Sequence, residues 1–115
     1  MRTTKGKTEI RKGVFYKGEW LDESMDGYGI LQDQTFSVYE GQFKDNHANG
    51  FGTIIFENGD HYQGEWLDGK MHGEGSYVTA KGKVYNGTWS NNKWINPLTQ
   101  SITSFNNRER YVCDI

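Results

Sequence analysis

The chain repeats itself every 23 residues, and that periodicity limits the available folds more than any other property of it. Tyr16, Tyr39, Tyr62 and Tyr85 open successive copies. Two residues on stand Gly18, Gly41, Gly64 and Gly87, and two further on the rings of Trp20, Phe43, Trp66 and Trp89. An acid or amide comes next (Asp22, Asp45, Asp68, Asn91), followed by the pairs Gly27 and Gly29, Gly50 and Gly52, Gly73 and Gly75. A last glycine column, Gly13, Gly59 and Gly82, is interrupted by Phe36, and Gly6 lies one period before Gly29. Fourteen of the 15 glycines thus occupy four columns, Gly69 being the exception. A fixed period of this length marks a repeat architecture, in which each unit is one supersecondary element that buries its apolar face only by stacking on its neighbours.

Each unit reads as a β-hairpin. In Tyr-x-Gly-x-(Trp/Phe) the rings recur at every second position, so they share one face of a strand. The intervening residues, Lys17 and Glu19, Glu40 and Gln42, Gln63 and Glu65, Asn86 and Thr88, point the other way. Turns rich in Asp, Asn and Gly follow, as in Leu67-Asp68-Gly69-Lys70. The second strand is expected to begin at the Gly-x-Gly pair and to run through Ile30-Leu31, Thr53 to Phe56, or Ser76 to Thr79. Asn58-Gly59 carries the signal of a two-residue return turn, and Lys81-Gly82 and Lys12-Gly13 carry weaker versions. About eight strands at ~4.8 Å spacing predict a sheet roughly 40 Å long.

Glycine weakens a strand unless something must lie flat on the backbone there. A Tyr or Trp ring over a glycine of the next strand recovers burial from a sheet too thin to hold another core. The ring columns are therefore expected to pack over the glycine columns, and Gly64→Val is expected to unfold the array.

Composition supports a folded β-protein. Hydrophobic residues make up only 34% of the chain, but the formal charge is −2 and the chain holds 4 Trp, 7 Tyr and 6 Phe, unlike a disordered chain. With 115 residues it accommodates one domain. A pI near 5.9 leaves no basic footprint for nucleic acid. No apolar run approaches the ~20 residues of a membrane helix. The first residues lack the apolar segment of a secretory signal and Cys113 is the single cysteine, so a cytoplasmic location is expected and the sequon Asn86-Gly87-Thr88 is read as incidental.

The unit Tyr-x-Gly-x-Trp-x-Asp followed by Gly-x-Gly, seen best from Tyr62 to Gly75, resembles the MORN repeat (membrane occupation and recognition nexus). The resemblance implies an all-β, elongated, twisted single-layer antiparallel sheet. Its repeats run over about 16–38, 39–61 and 62–84, with a partial unit at 85–91, an N-terminal half repeat at 6–15 and a C-terminal cap at 92–115, all in one domain. Three departures stand out. Phe43 replaces Trp and loses the indole N–H. Phe36 replaces a turn glycine, so that turn is expected to widen or to carry a protruding ring. After Trp89 the glycine pair is gone, with Asn96 and Leu98 in its register, and Trp94, Ile95, Leu98, Ile102, Phe105, Tyr111 and Val112 are the residues available to cap the array.

The candidate partner-binding residues are the rings Tyr16, Trp20, Tyr39, Phe43, Tyr62, Trp66, Tyr85 and Trp89. The plain alternative is that they are the core, since large rings dominate burial; they serve both purposes where one edge stays exposed. Tyr28 and Phe51, beside the glycine pairs, are a second candidate, against ordinary cross-strand packing. Gly18, Gly27, Gly29, Gly41, Gly50, Gly52, Gly64, Gly73, Gly75 and Gly87 are read as structural. Asp22, Asp45 and Asp68 stand one unit apart, ~10 Å by strand spacing, too far to share an ion, so they read as turn formers and no metal site is assigned. His47, His61 and His72 read as solvated. No nucleophile–base pattern stands out and no phosphate-binding helix follows a Gly-x-Gly, so neither catalysis nor a cofactor is assigned.

A non-enzymatic adaptor or scaffold is therefore expected, holding a partner helix or extended segment along an aromatic-lined trough. The resemblance points to cytoskeletal, ciliary or membrane-associated assemblies. The alternative is a peripheral phospholipid-binding module, for which Lys5, Lys7, Arg11 and Lys12 form the one modest basic group. Self-association through the open sheet ends is a further expectation.

Overall fold

Alternating rings and polar residues do become strands, and the computed structural model, which describes residues 1–104, places them in sequence order in one sheet. The strands are β1 (Arg2–Arg11), β2 (Val14–Leu21), β3 (Ser24–Gln32), β4 (Val38–Lys44), β5 (His47–Ile55), β6 (His61–Leu67), β7 (Lys70–Val78), β8 (Val84–Ser90), β9 (Lys93–Ile95) and β10 (Ile102–Ser104). Each pairs antiparallel with the next, so the sheet is a meander of ten strands, not about eight, and the described residues span 46 × 26 × 19 Å.

The core is carried on one face as two cross-strand rows. Tyr16, Leu31, Tyr39, Ile54, Tyr62, Tyr77 and Tyr85 sit opposite one another from β2 to β8. Beside them Gly18, Gly29, Gly41, Gly52, Gly64, Gly75 and Gly87 form an unbroken row of bare backbone. The rings do lie over this row: a Cβ on Gly75 would come 2.1 Å from the Tyr62 hydroxyl oxygen, and one on Gly64 would come 2.5 Å from the Gly75 Cα. The sheet therefore folds its own side chains down onto itself in place of packing a second layer.

Two local readings are corrected. The second strands start at Ser24, His47 and Lys70, before the glycine pairs and not at them. The hairpins close at once through two-residue turns such as Asp45-Asn46 and Asp68-Gly69, with positive φ at both positions. The register then breaks between the Gly18–Gly29 and Trp20–Met25 pairs, and at the equivalent points of the next two hairpins. The first glycine of each pair lies in that bulge; Gly50, at φ 96, adopts a conformation other residues avoid. Asn58-Gly59, in turn, is not a two-residue hairpin turn. The Phe56 N–H donates to Asp60 O and the Gly59 N–H to Phe56 O, a three-residue loop with Gly59 at φ 97. Thr79–Lys83 and Asp33–Ser37 repeat this pattern of bonds. Phe36 occupies the glycine position of the last at φ 68, so its loop is no wider and its ring protrudes, 72% exposed.

The turns are also sewn to one another. The N–H groups of Asn46, Gly69 and Asn92 donate to the carbonyls of Met25, Ala48 and Met71 in the preceding hairpin. Asn46 and Asn92 return the favour, each Oδ1 accepting the Met25 or Met71 N–H, at 2.8 and 2.9 Å. Asp60 links the opposite edge, accepting from the Tyr77 hydroxyl and the Ala80 N–H. At the ends the pattern loosens. β1 follows β2 with breaks in register after Lys5 and after Glu9. In the segment read as a cap, β9 and β10 add a short hairpin to the sheet; Trp94 packs on Tyr85, while Leu98 and Ile102 are exposed. Phe105, Tyr111 and Val112 lie outside the described residues.

Candidate partner-binding site

Seven of the eight rings come together as a zigzag, and the eighth, Tyr85, meets Trp94 edge to face. Trp20, Tyr16, Phe43, Tyr39, Trp66, Tyr62 and Trp89 meet edge to face in succession, with ring centroids 5.0–5.3 Å apart. Such contacts contribute about 0.5–1.5 kcal/mol each beyond their area. Tyr16, Tyr39, Phe43, Tyr62, Trp66 and Trp89 are buried, at 0–3% exposure. As an open surface the column is thus confined to Trp20 and Tyr85, both half-buried. The physical reason is the glycine row: rings that lie flat on bare backbone are covered by the rings of the next unit.

Their polar ends are held by backbone. The Tyr16, Tyr39 and Tyr62 hydroxyls donate to the carbonyls of Glu19, Gln42 and Glu65, at 2.7–2.9 Å. Burial, with the Glu19 charge adding to it, pushes the Tyr16 hydroxyl up to about 12, and burial raises that of Tyr39 as well. Both therefore remain neutral donors. The Trp66 and Trp89 indole N–H groups donate to Gly52 O and Gly75 O, each 14 residues earlier.

Trp20 breaks this rule. The residue 14 before it is Gly6, in the stretch where β1 loses register, and the Gly6 carbonyl instead accepts from the Thr8 hydroxyl at 2.9 Å. Trp20 Nε1 is left buried with no hydrogen-bond partner. An unsatisfied buried donor costs about 1–3 kcal/mol. Beside it opens a cleft of about 490 Å³ walled by Ile10, Trp20 and Met25, with the exposed side chains of Glu9, Glu23 and His47 contributing. Lys5 Nζ lies 5.6 Å from the Trp20 ring centre.

Alternation places Glu19, Gln42 and Glu65 on the face opposite the rings, and there they stand, but with a task that alternation does not indicate. Their oxygens in fact accept the N–H of Tyr28, Phe51 and Glu74, the middle residue of each glycine pair, at 2.6–2.7 Å. They close the bulge from the face opposite the rings. The signal was present: that column carries an acceptor oxygen in every full unit. Tyr28 and Phe51 stand on this opposite face, 51% and 64% exposed, and the Tyr28 hydroxyl donates to the Glu40 carboxylate, which raises its pKa. Asp22, Asp45 and Asp68 all occupy the first turn position with φ 49–57. Among the described residues no group of three or more His, Cys, Asp or Glu is placed to hold a metal ion.

Compared with known families, the chain matches the MORN repeat model three times, over residues 16–37, 39–61 and 62–84. That family is a non-catalytic repeat domain whose members are associated with protein or membrane binding. A search of curated proteins finds no match.

Proposed function

Because the chain belongs to the MORN-repeat family, we propose that it is a non-enzymatic adaptor that holds a partner protein, as a helix or extended segment, against its ring-bearing face. The carrying observation is the Trp20 indole N–H, a buried donor without an acceptor beside an open, part-apolar cleft. Rotation of the half-buried Trp20 ring toward the cleft would let a partner carbonyl or carboxylate satisfy that nitrogen, and apolar partner side chains would cover Ile10 and Met25. Aromatic anchors with one polar end are the residues that dominate protein interfaces. A cytoplasmic assembly of cytoskeletal, ciliary or membrane-associated type is the setting this reading implies.

The test is affinity capture from cell extract with the intact chain and with Trp20→Phe, which keeps a ring and removes the donor. Recovery of a partner by the parent chain and at least a tenfold loss with the variant is the expected result. Equal recovery by a folded Trp20→Phe would sink the placement of the site. A phospholipid-binding reading is favoured by one observation, the exposed Lys5, Lys7, Arg11 and Lys12 on and after β1. Vesicles of anionic lipid, bound with a steep fall as salt rises, would establish it in place of the adaptor.

A further inference from the structure

The face opposite the rings carries a second periodic row. Tyr28, Phe51 and Glu74 are successive copies of one repeat position, on β3, β5 and β7. Strand spacing sets them about 10 Å apart. The cross-strand partners in this row are Gln42, Glu65 and Thr88. Between the two rings the bare backbone of Gly41, Gly52 and Gly64 floors a groove of about 340 Å³, with Glu40, Thr53 and Gln63 also lining it. A second groove of about 450 Å³ lies on the other side of Tyr28, where Lys17 and Glu19 contribute.

From this arrangement the geometry points to a docking groove for a polyproline II segment of another protein, bearing a basic residue at one end. Three residues of that helix advance about 9.3 Å, which matches one repeat of the sheet. Prolines three apart would lie against Tyr28 and Phe51, and a Lys or Arg three further on would meet the carboxylate at Glu74, next to that of Glu65. The carboxylates of Glu19 and Glu40 stand at Tyr28 and those of Glu65 and Glu74 at the far end, so the groove is predominantly acidic and suits a segment whose one charge is basic. Such a segment makes no internal hydrogen bonds, and the exposed amide of Gln63 and the Thr53 hydroxyl offer donors to its carbonyls. The rings can serve because their burial is not needed for the core: Tyr28 and Phe51 keep half or more of their surface in solvent. This site is separate from the Trp20 cleft, and its partner is recognised by different chemistry.

The probe is the synthetic peptide Ala-Pro-Ala-Pro-Pro-Ala-Pro-Pro-Ala-Arg, titrated into the intact chain while backbone amide shifts are followed. Expected are saturable binding with shifts centred on Tyr28, Phe51 and Glu74, and at least a tenfold weakening with Tyr28→Ser or Phe51→Ser. Replacing the terminal Arg of the peptide by Glu should also weaken binding, and Glu74→Lys should restore it. Trp20→Phe should leave the affinity unchanged, which keeps this outcome apart from that of the adaptor site. Absence of saturable binding, shifts centred on the Trp20 cleft, or indifference to Phe51→Ser in a folded variant would overturn the proposal.

Discussion

The middle of the array and its N-terminal end use the same parts with different results. At Trp66 the ring is buried, its N–H reaches Gly52 O at 3.0 Å, and rings of two units hold it edge to face. At Trp20 the same residue type, in the same repeat position, is half-buried and its N–H has no acceptor. The difference is the strand that precedes each. Trp66 faces β5, which pairs with β6 without a break in register, whereas Trp20 faces β1, where the register slips between Lys5 and Thr8. A single-layer repeat sheet satisfies each unit from the unit before it, so an imperfect first strand leaves the next unit's hydrogen-bonding capacity open.

The sharpest way to break this comparison is to add a methyl-bearing side chain to the glycine row. Gly64→Val should cost at least about 3 kcal/mol and unfold the array, because the new Cβ would lie 2.5 Å from Gly75 Cα. Gly6→Val at the loose end, with no atom within 4 Å of its would-be Cβ, should change stability by less than about 0.5 kcal/mol. Urea unfolding of the two variants checks both. A well-folded Gly64→Val would mean that the rings do not lie on the row.

Next in size is Asn92→Ala, which leaves the buried Met71 N–H without its side-chain acceptor at a turn of positive φ. A loss of about 2–3 kcal/mol is expected in the same assay. Trp66→Phe and Trp20→Phe then sharpen the contrast directly. The first removes the hydrogen bond to the Gly52 carbonyl and should cost about 1–3 kcal/mol; the second removes a donor that has no partner and should cost less than half as much.

Alkaline titration probes the tyrosines. Tyr16 has a folded pKa near 12 against 10.0 in the unfolded chain, so the folded state holds its proton longer. Stability is then full below pH 10 and falls as pH rises from 10 toward 12, by on the order of 1 kcal/mol per pH unit for that residue. Tyr39 acts in the same direction. Stability that is flat over pH 10–12 would show that these hydroxyls are not buried. The smallest effect expected is a gain: Phe36→Gly should add about 0.5–1 kcal/mol by removing a bulky residue from φ 68, again read by urea unfolding.

Much of this was legible in the sequence because the period made each column visible several times. The hairpin units, the sharing of one face by Tyr and Trp, and rings over glycines all follow from that spacing. The strand starts were not legible, since a bulge in mid-strand leaves no mark except a glycine, and glycine was read as a strand boundary. The role of Glu19, Gln42 and Glu65 was hidden because alternation gives only their face, and the bulge is what turns a backbone N–H toward them. The rings were legible as a column, but their exposure was not. How far one unit's rings cover those of the next depends on twist and register, and the open donor at Trp20 depends on a slip in β1 that no residue type announces.

The strict sequence order of the sheet also bears on how the chain acquires its structure. Every described strand pairs only with the strands immediately before and after it, and the turn-to-turn bonds reach back no further than one unit. No distant segments have to find one another, so the entropy of closing long loops, which slows most β-proteins, is largely avoided. Such a sheet should form rapidly for its class, starting from whichever hairpin closes first and growing outward one strand at a time. Each unit emerging during synthesis finds its template already in place, so folding can keep pace with the lengthening chain.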